Sequence, residues 1–259
     1  MKVETYLQGQ PCWVELATTD WQGAKAFYQS MFGWADNDMP MPEGVYTMVH
    51  FDGDDVGALY QMPQQMLDEG TPTHWTIYFA VDSADDVVEA AKQAGGTVLA
   101  GPHDVGDAGR MAFLADPEGA RFAVWQGKSH IGIKRALEHG TLCWSELASR
   151  DPEKAKAFYP QVIGWSHKSG DMPDMPYTHW QAAGSDVGGM IAMTEEWGDI
   201  PAHWMAYFQV DDCDAAAKKV VELGGKVCVP PTDIPNTGRF SVVNDPQGGV
   251  FSIFEMPAT

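Results

Sequence analysis

Positive charge is scarce in this chain: 16 Lys and Arg stand against 36 Asp and Glu, a formal net charge of −20 over 259 residues. The resulting field repels phosphate backbones and anionic headgroups, so neither nucleic acid nor a membrane surface is an expected partner. A solvated acidic surface accounts for the charge without any ligand. Cysteine is also scarce. Four residues with no Cys-x-x-Cys pair exclude a disulfide framework or a zinc ribbon and leave reduced, mostly buried thiols as the expectation. No apolar run approaches the length of a membrane span, and Met1–Gln10 lacks the apolar core of a secretory signal. A cytoplasmic location is therefore expected. What is present, 44% hydrophobic and 11% aromatic residues, excludes a disordered chain.

The length suits two domains, and the chain repeats itself. PCWVELATTD (Pro11–Asp20) recurs as LCWSELASRD (Leu142–Asp151), KAFYQSMFGW (Lys25–Trp34) as KAFYPQVIGW (Lys156–Trp165), and DVGAL (Asp55–Leu59) as DVGGM (Asp186–Met190), always 131 residues later. After a two-residue deletion the spacing is 129: HWTIYFAVD (His74–Asp82) recurs as HWMAYFQVD (His203–Asp211), and ADPEGARFAVW (Ala115–Trp125) as NDPQGGVFSIF (Asn244–Phe254). Two homologous domains follow, at 4–127 and 139–257, joined by a linker whose Ile131, Ile133 and Leu137 are expected to pack between them. Cys12 and Cys143 are equivalent, which points to packing on a strand more than to two nucleophiles.

In each half a strand (Cys12–Ala17) leads into a helix capped by Asp20, with Ala24, Phe27, Tyr28 and Met31 on one face and Gly33 at its end. The second copy adds Pro152 at the first helical position and Gly164 at the end. Strands are expected at Tyr46–Val49, Val56–Tyr60 and His74–Val81. A second helix follows, capped by Asp82 or Ser83 and stopped by Gly95-Gly96, and then strands at Gly109–Leu114 and Arg121–Trp125. Each domain thus reads as two βαβββ units, an α+β fold.

Paired βαβββ units with D-x-x-x-A-x-x-F-Y helices, a following Gly-Trp, a Val-Asp strand end and a late D-P-x-G turn resemble the vicinal oxygen chelate superfamily of glyoxalases, bleomycin-resistance proteins and extradiol dioxygenases. WVELATTD, GDAGRM, IPNTGRF and the His-Ile-Gly of the linker resemble more narrowly a two-domain glyoxalase-like subgroup that includes a mycobacterial culture-filtrate antigen. The resemblance implies a curled sheet around a cup that holds a small ligand, often over a divalent metal. The four ligand positions it implies fall on Trp13, Ala58, Thr76 and Ala123 in one half and on Trp144, Gly189, Met205 and Ser252 in the other. None supplies a good set of oxygen or imidazole donors for such a cation. No cofactor is expected.

Strand alternation places Glu15 with Trp13, Glu146 with Trp144, His74 and Tyr78 with Thr76, His203 and Tyr207 with Met205, and Arg121 and Trp125 with Ala123. The expected site is therefore an aromatic cup for a small, planar molecule, with Trp13, Trp144, Tyr78, Tyr207, Arg121 and Trp125 in contact with it. Glu15, Glu146, His74 and His203 are the candidate catalytic groups, because burial raises a carboxyl toward neutral pH. Each has a plainer reading. The tryptophans could fill a vanished metal site, the glutamates could pair internally, and the histidines could sit satisfied at a strand entrance. Arg110 and Arg239 could clamp an anion or anchor a loop to an acid, and Asp116-Pro117 and Asp245-Pro246 are turn chemistry. Met39–Glu43 and Asp171–Pro176 read as loops over the cups. The expected activity is sequestration or metal-free acid/base chemistry. The alternative is a metal-dependent glyoxalase-type lyase or extradiol-type dioxygenase, using ligands drawn from Glu15, His74, Glu146 and His203. Thr76 against Met205 and Arg121 against Val250 favour one working cup over two. Four units in one chain make a monomer sufficient, with a homodimer left open.

Overall fold

The computed structural model describes residues 1–41, 44–170 and 176–257. The first domain runs β1 (Pro11–Thr18), α1 (Trp21–Phe32), β2 (Ala35–Met41), β3 (Gly44–Phe51), β4 (Asp54–Gln61), α2 (Gln64–Asp68), β5 (His74–Ala80), α3 (Ala84–Gln93), β6 (Thr97–Val105), β7 (Gly109–Ala115) and β8 (Arg121–Gly127). The second runs β9 (Leu142–Ser149), α4 (Pro152–Ile163), β10 (Ser166–Ser169), β11 (Tyr177–Ala182), β12 (Ser185–Ala192), β13 (His203–Gln209), α5 (Cys213–Glu222), β14 (Lys226–Ile234), β15 (Gly238–Asn244) and β16 (Val250–Glu255). The helix signals act as read. Asp20 accepts from the Gly23 amide and Asp151 from the Lys154 amide, while Gly33 and Gly164 close their helices with φ of 72° and 80°. That left-handed backbone favours glycine.

Each half builds its own eight-stranded sheet, ordered β2-β3-β4-β1-β5-β8-β7-β6 and β10-β11-β12-β9-β13-β16-β15-β14. The cups therefore form within domains, which repetition alone left open. The central pair β1 and β5 is antiparallel, with Trp13 opposite Tyr78, Glu15 opposite Thr76 and Ala17 opposite His74. Registered partners share a face, so these six side chains line one side of the sheet and Val14, Leu16, Trp75 and Ile77 the other. The outer strands carry almost no hydropathy signal: β2, β6, β10 and β14 are largely exposed edges. Met39, Pro40 and Met41 accordingly lie in β2, not in a loop, because backbone pairing to β3 decides where apolar alternation is absent. Pro42, Glu43 and Asp171–Met175 lie outside the described residues.

The faces turned away from the cups pack together. From α1, Phe27 meets Phe251 and Phe32 meets Phe208; from α4, Phe158 meets Phe122, and Trp165 just beyond it meets Phe79 edge-on at 4.9 Å. One buried cluster runs through both halves. Two reciprocal polar locks cross it. The Tyr28 hydroxyl donates to Asp245 at 2.9 Å and receives the Trp75 indole N–H, while Tyr159 donates to Asp116 at 3.0 Å and receives that of Trp204. The aspartates of the D-P-x-G turns thus hold their own turn amides and also the other domain's tyrosine. Burial raises both carboxyls above the ordinary aspartate value.

All four cysteines are unbridged, with Cys12, Cys143 and Cys213 buried and Cys228 exposed. No helix among the described residues is long and apolar enough to cross a membrane.

Candidate functional site

At the centre of each cup a mid-strand glutamate is held by two tyrosines. Glu15 accepts from Tyr78 at 2.6 Å and Tyr46 at 2.9 Å; Glu146 accepts from Tyr207 at 2.7 Å and Tyr177 at 2.8 Å. A tryptophan completes each chain, the indole of Trp13 donating to the Tyr46 hydroxyl at 3.2 Å and that of Trp144 to Tyr177 at 2.9 Å. Burial pushes both carboxyls above the ordinary glutamate value, and the two phenol hydrogen bonds oppose that rise in each case. A carboxyl so placed is partly satisfied while keeping lone pairs free for a further donor.

The structure thus brings Trp13, Glu15 and Tyr78 together, and likewise Trp144, Glu146 and Tyr207. The histidines share the faces but are joined to neither glutamate. His74 and His203 turn Nδ1 to the Pro72 and Pro201 carbonyls, each at 2.8 Å. Burial lowers His74, assisted by Arg121. Arg121 itself is exposed at the start of β8, and Trp125 is buried with its N–H on the His130 carbonyl. Arg110 and Arg239 serve as anchors: Arg110 forks onto Asp85, and Arg239 bridges Asp214 and Asp233.

The two cups differ in access. In the first, the linker crosses the mouth as a strap: Ile133 donates to the Cys12 carbonyl and Lys134 to the Asp55 carbonyl. His130 stands edge-on to Trp13 at 5.0 Å and near Trp125 at 6.2 Å. Trp13 and Glu15 are then only 6% and 5% exposed. In the second, no equivalent strap is present among the described residues, and Trp144 and Glu146 are half-buried. Tyr207 and Phe254 form a separate apolar lining there, with Trp144, Met205, Ile234 and Phe240 against it. Gly189 lies opposite Glu146, and its missing Cβ leaves the space that the Tyr177 hydroxyl fills. Ser252, opposite Tyr207, is fully buried, its Oγ near that hydroxyl without an aligned hydrogen bond. A cleft of about 330 Å³ lies away from the cups, lined by Gln8, Asp82 and Asp86 with Gln161, where the two domains meet.

Tyr46, Tyr177 and the strap were not foreseen as site residues. The tyrosines were legible in principle, since Tyr46-Thr47 and Tyr177-Thr178 repeat at the same spacing of 131. The strap carries no repeat signal, because it lies in the linker between the two repeated segments.

A divalent metal fits these residues poorly. The four positions that the resemblance assigns to ligands hold Trp13, Ala58, Thr76 and Ala123, or Trp144, Gly189, Met205 and Ser252, and each glutamate oxygen already accepts a phenol. Among the described residues no group of three or more His, Cys, Asp or Glu side chains could hold a metal ion.

Comparison with known proteins agrees with the fold. The chain is 44% identical over 257 residues to CFP32 of Mycobacterium tuberculosis, covering 98% of this chain and 97% of that one. It is 35% identical over 262 residues to the anthracycline biosynthesis protein DnrV of Streptomyces peucetius, covering 97% and 94%. Among solved structures, the Mn(II)-bound glyoxalase of Novosphingobium aromaticivorans superposes with a TM-score of 0.65 at 18% identity, covering 96% of this chain and 82% of that one. The 2,2′,3-trihydroxybiphenyl 1,2-dioxygenase of Sphingomonas wittichii does so with a TM-score of 0.63 at 15% identity, covering 96% and 91%. Residues 11–124 and 139–253 each match the glyoxalase/bleomycin resistance protein/dioxygenase superfamily, and the chain belongs to it.

Proposed function

We propose that the second cup binds a small, planar aromatic molecule without a divalent metal such as the Mn(II) of the Novosphingobium glyoxalase, and either sequesters it or moves a proton on it with Glu146. The observation that carries this reading is the half-buried Glu146, its carboxyl clamped by Tyr177 and Tyr207 inside an apolar, aromatic lining. Trp144 and Phe254 offer faces for a flat ring, and the carboxyl offers one polar point of orientation. Burial holds the proton affinity of Glu146 above the ordinary glutamate value, which favours a proton-transfer role for it. The relative named for anthracycline biosynthesis is consistent with a flat polycyclic ligand, and CFP32, which carries a glyoxylase name, with removal of a reactive small molecule. In the first cup the His130 strap covers the equivalent wall, so Glu15 and its tyrosines support the fold there.

Calorimetric titration with two-ring aromatics tests the reading. One ligand per chain is expected, with affinity falling about tenfold, or 1.4 kcal/mol, in Glu146→Gln and unchanged in Glu15→Gln. Equal losses in both variants, or no binding, would overturn it.

A further inference from the structure

Resting on that reading of the second cup, the geometry points to the ligand's charge. Buried carboxylates are ordinarily paired with a cation, because an isolated charge loses its hydration on burial. Glu146 has two phenols and no cation: the groups that set its proton affinity are burial, Tyr207 and Tyr177. The undescribed residues cannot supply one, since Pro42, Glu43, Asp171–Met175, Ala258 and Thr259 include no Lys, Arg or His. Lys168 of β10 and His179 of β11 both lie against Asp186, at 3.0 and 3.3 Å, and His179 stands edge-on to Trp144 at 6.2 Å. Near the carboxyl stand the rings of Trp144, Tyr177, Tyr207 and Phe254, and an aromatic ring face attracts positive charge.

The homologous first cup offers an internal precedent. The strap lays a planar nitrogen heterocycle, the His130 imidazole, against Trp13 and Trp125, the counterparts of Trp144 and Phe254, and turns Nε2 toward Asp55 at 3.5 Å. A net charge of −20 adds a field that concentrates cations at the surface. We propose that the second cup selects a planar organic cation, a positively charged nitrogen heterocycle whose ring lies on Trp144 and whose charge faces Glu146. His130 is a built-in counterpart of this ring in the closed cup, but not of its charge, because burial lowers the proton affinity of that imidazole.

Three two-ring probes of similar shape isolate the charge: N-methylquinolinium, permanently cationic; quinoline, neutral at pH 7.5; and 1-naphthoate, anionic. Calorimetry at two salt concentrations should give N-methylquinolinium a Kd at least tenfold below that of quinoline, with 1-naphthoate weakest. In Glu146→Gln the preference should collapse to within about twofold, because the cation loses more affinity than quinoline does, and Glu15→Gln keeps the preference. Should Glu146→Gln not fold, the wild type answers alone: the preference for N-methylquinolinium must shrink as pH falls and Glu146 takes up its proton. Quinoline binding as tightly as the cation, or a preference that survives Glu146→Gln or vanishes wholly with salt, overturns the charge assignment and leaves the aromatic cup intact. No binding of any probe overturns both.

Discussion

Glu15 and Glu146 show how one residue type at one strand position acquires two uses. Both are held by the same Tyr-Glu-Tyr arrangement, and both have their proton affinity raised by burial. For Glu15, 5% exposed beneath the strap, the consequence is thermodynamic. A group whose folded pKa lies above its unfolded value contributes most stability below the unfolded value, and that contribution is lost as pH rises through the folded one. Wild-type protein is therefore expected to lose stability relative to Glu15→Gln as pH rises from the ordinary glutamate value of 4.5 toward alkaline conditions. Urea midpoints measured across that range check this; a difference that stays flat, or a wild type that loses stability relative to Glu15→Gln on acidification, would refute it. For Glu146, Tyr207→Phe removes a hydrogen bond that favours the ionised form, so the carboxyl should titrate at still higher pH, as carboxyl infrared bands would show.

Among the elements, helices were the most legible in the sequence and edge strands the least. Asp20, Gly33, Asp151, Pro152 and Gly164 act locally, each through a cap or a fixed backbone angle, so the chain announces them in one dimension. β2 and β6 exist through pairing to β3 and β7, with little burial to mark them. The same division holds at the site. Glu15 and Glu146 stood out as carboxylates amid apolar strands, whereas Tyr46 and Tyr177 reach them from a different strand, and His130 reaches Trp13 from beyond the domain. The strap makes its own prediction. Its closure of the first cup depends on the imidazole between Trp13 and Trp125, so His130→Ala should expose that wall and raise aromatic-ligand stoichiometry from one toward two per chain. A variant that still binds one ligand, with the second cup intact, would show that closure lies elsewhere in the linker.

Across the whole molecule, the cups face outward and the shared core lies between them. Tyr28 with Asp245 and Tyr159 with Asp116 tie each domain's first helix into the other domain's D-P-x-G turn, so neither half buries its apolar face alone. A single cooperative unfolding transition is expected, coincident by near-ultraviolet and far-ultraviolet circular dichroism. Tyr159→Phe should lower stability by about 1–3 kcal/mol, since Asp116 then keeps a buried oxygen without its donor. Two separated transitions would contradict a shared core. The same architecture that superposes on metal enzymes here surrounds a carboxyl with phenols and indoles, which makes metal dependence the sharpest question about the second cup. The most direct measurement is calorimetric titration of a two-ring aromatic into protein stripped with chelator, repeated after adding back manganese, nickel, zinc or iron(II), with bound metal quantified by elemental mass spectrometry. One ligand per chain, bound equally with and without metal and weakened in Glu146→Gln, is the expected result. Binding that appears only when a stoichiometric metal is restored would contradict it.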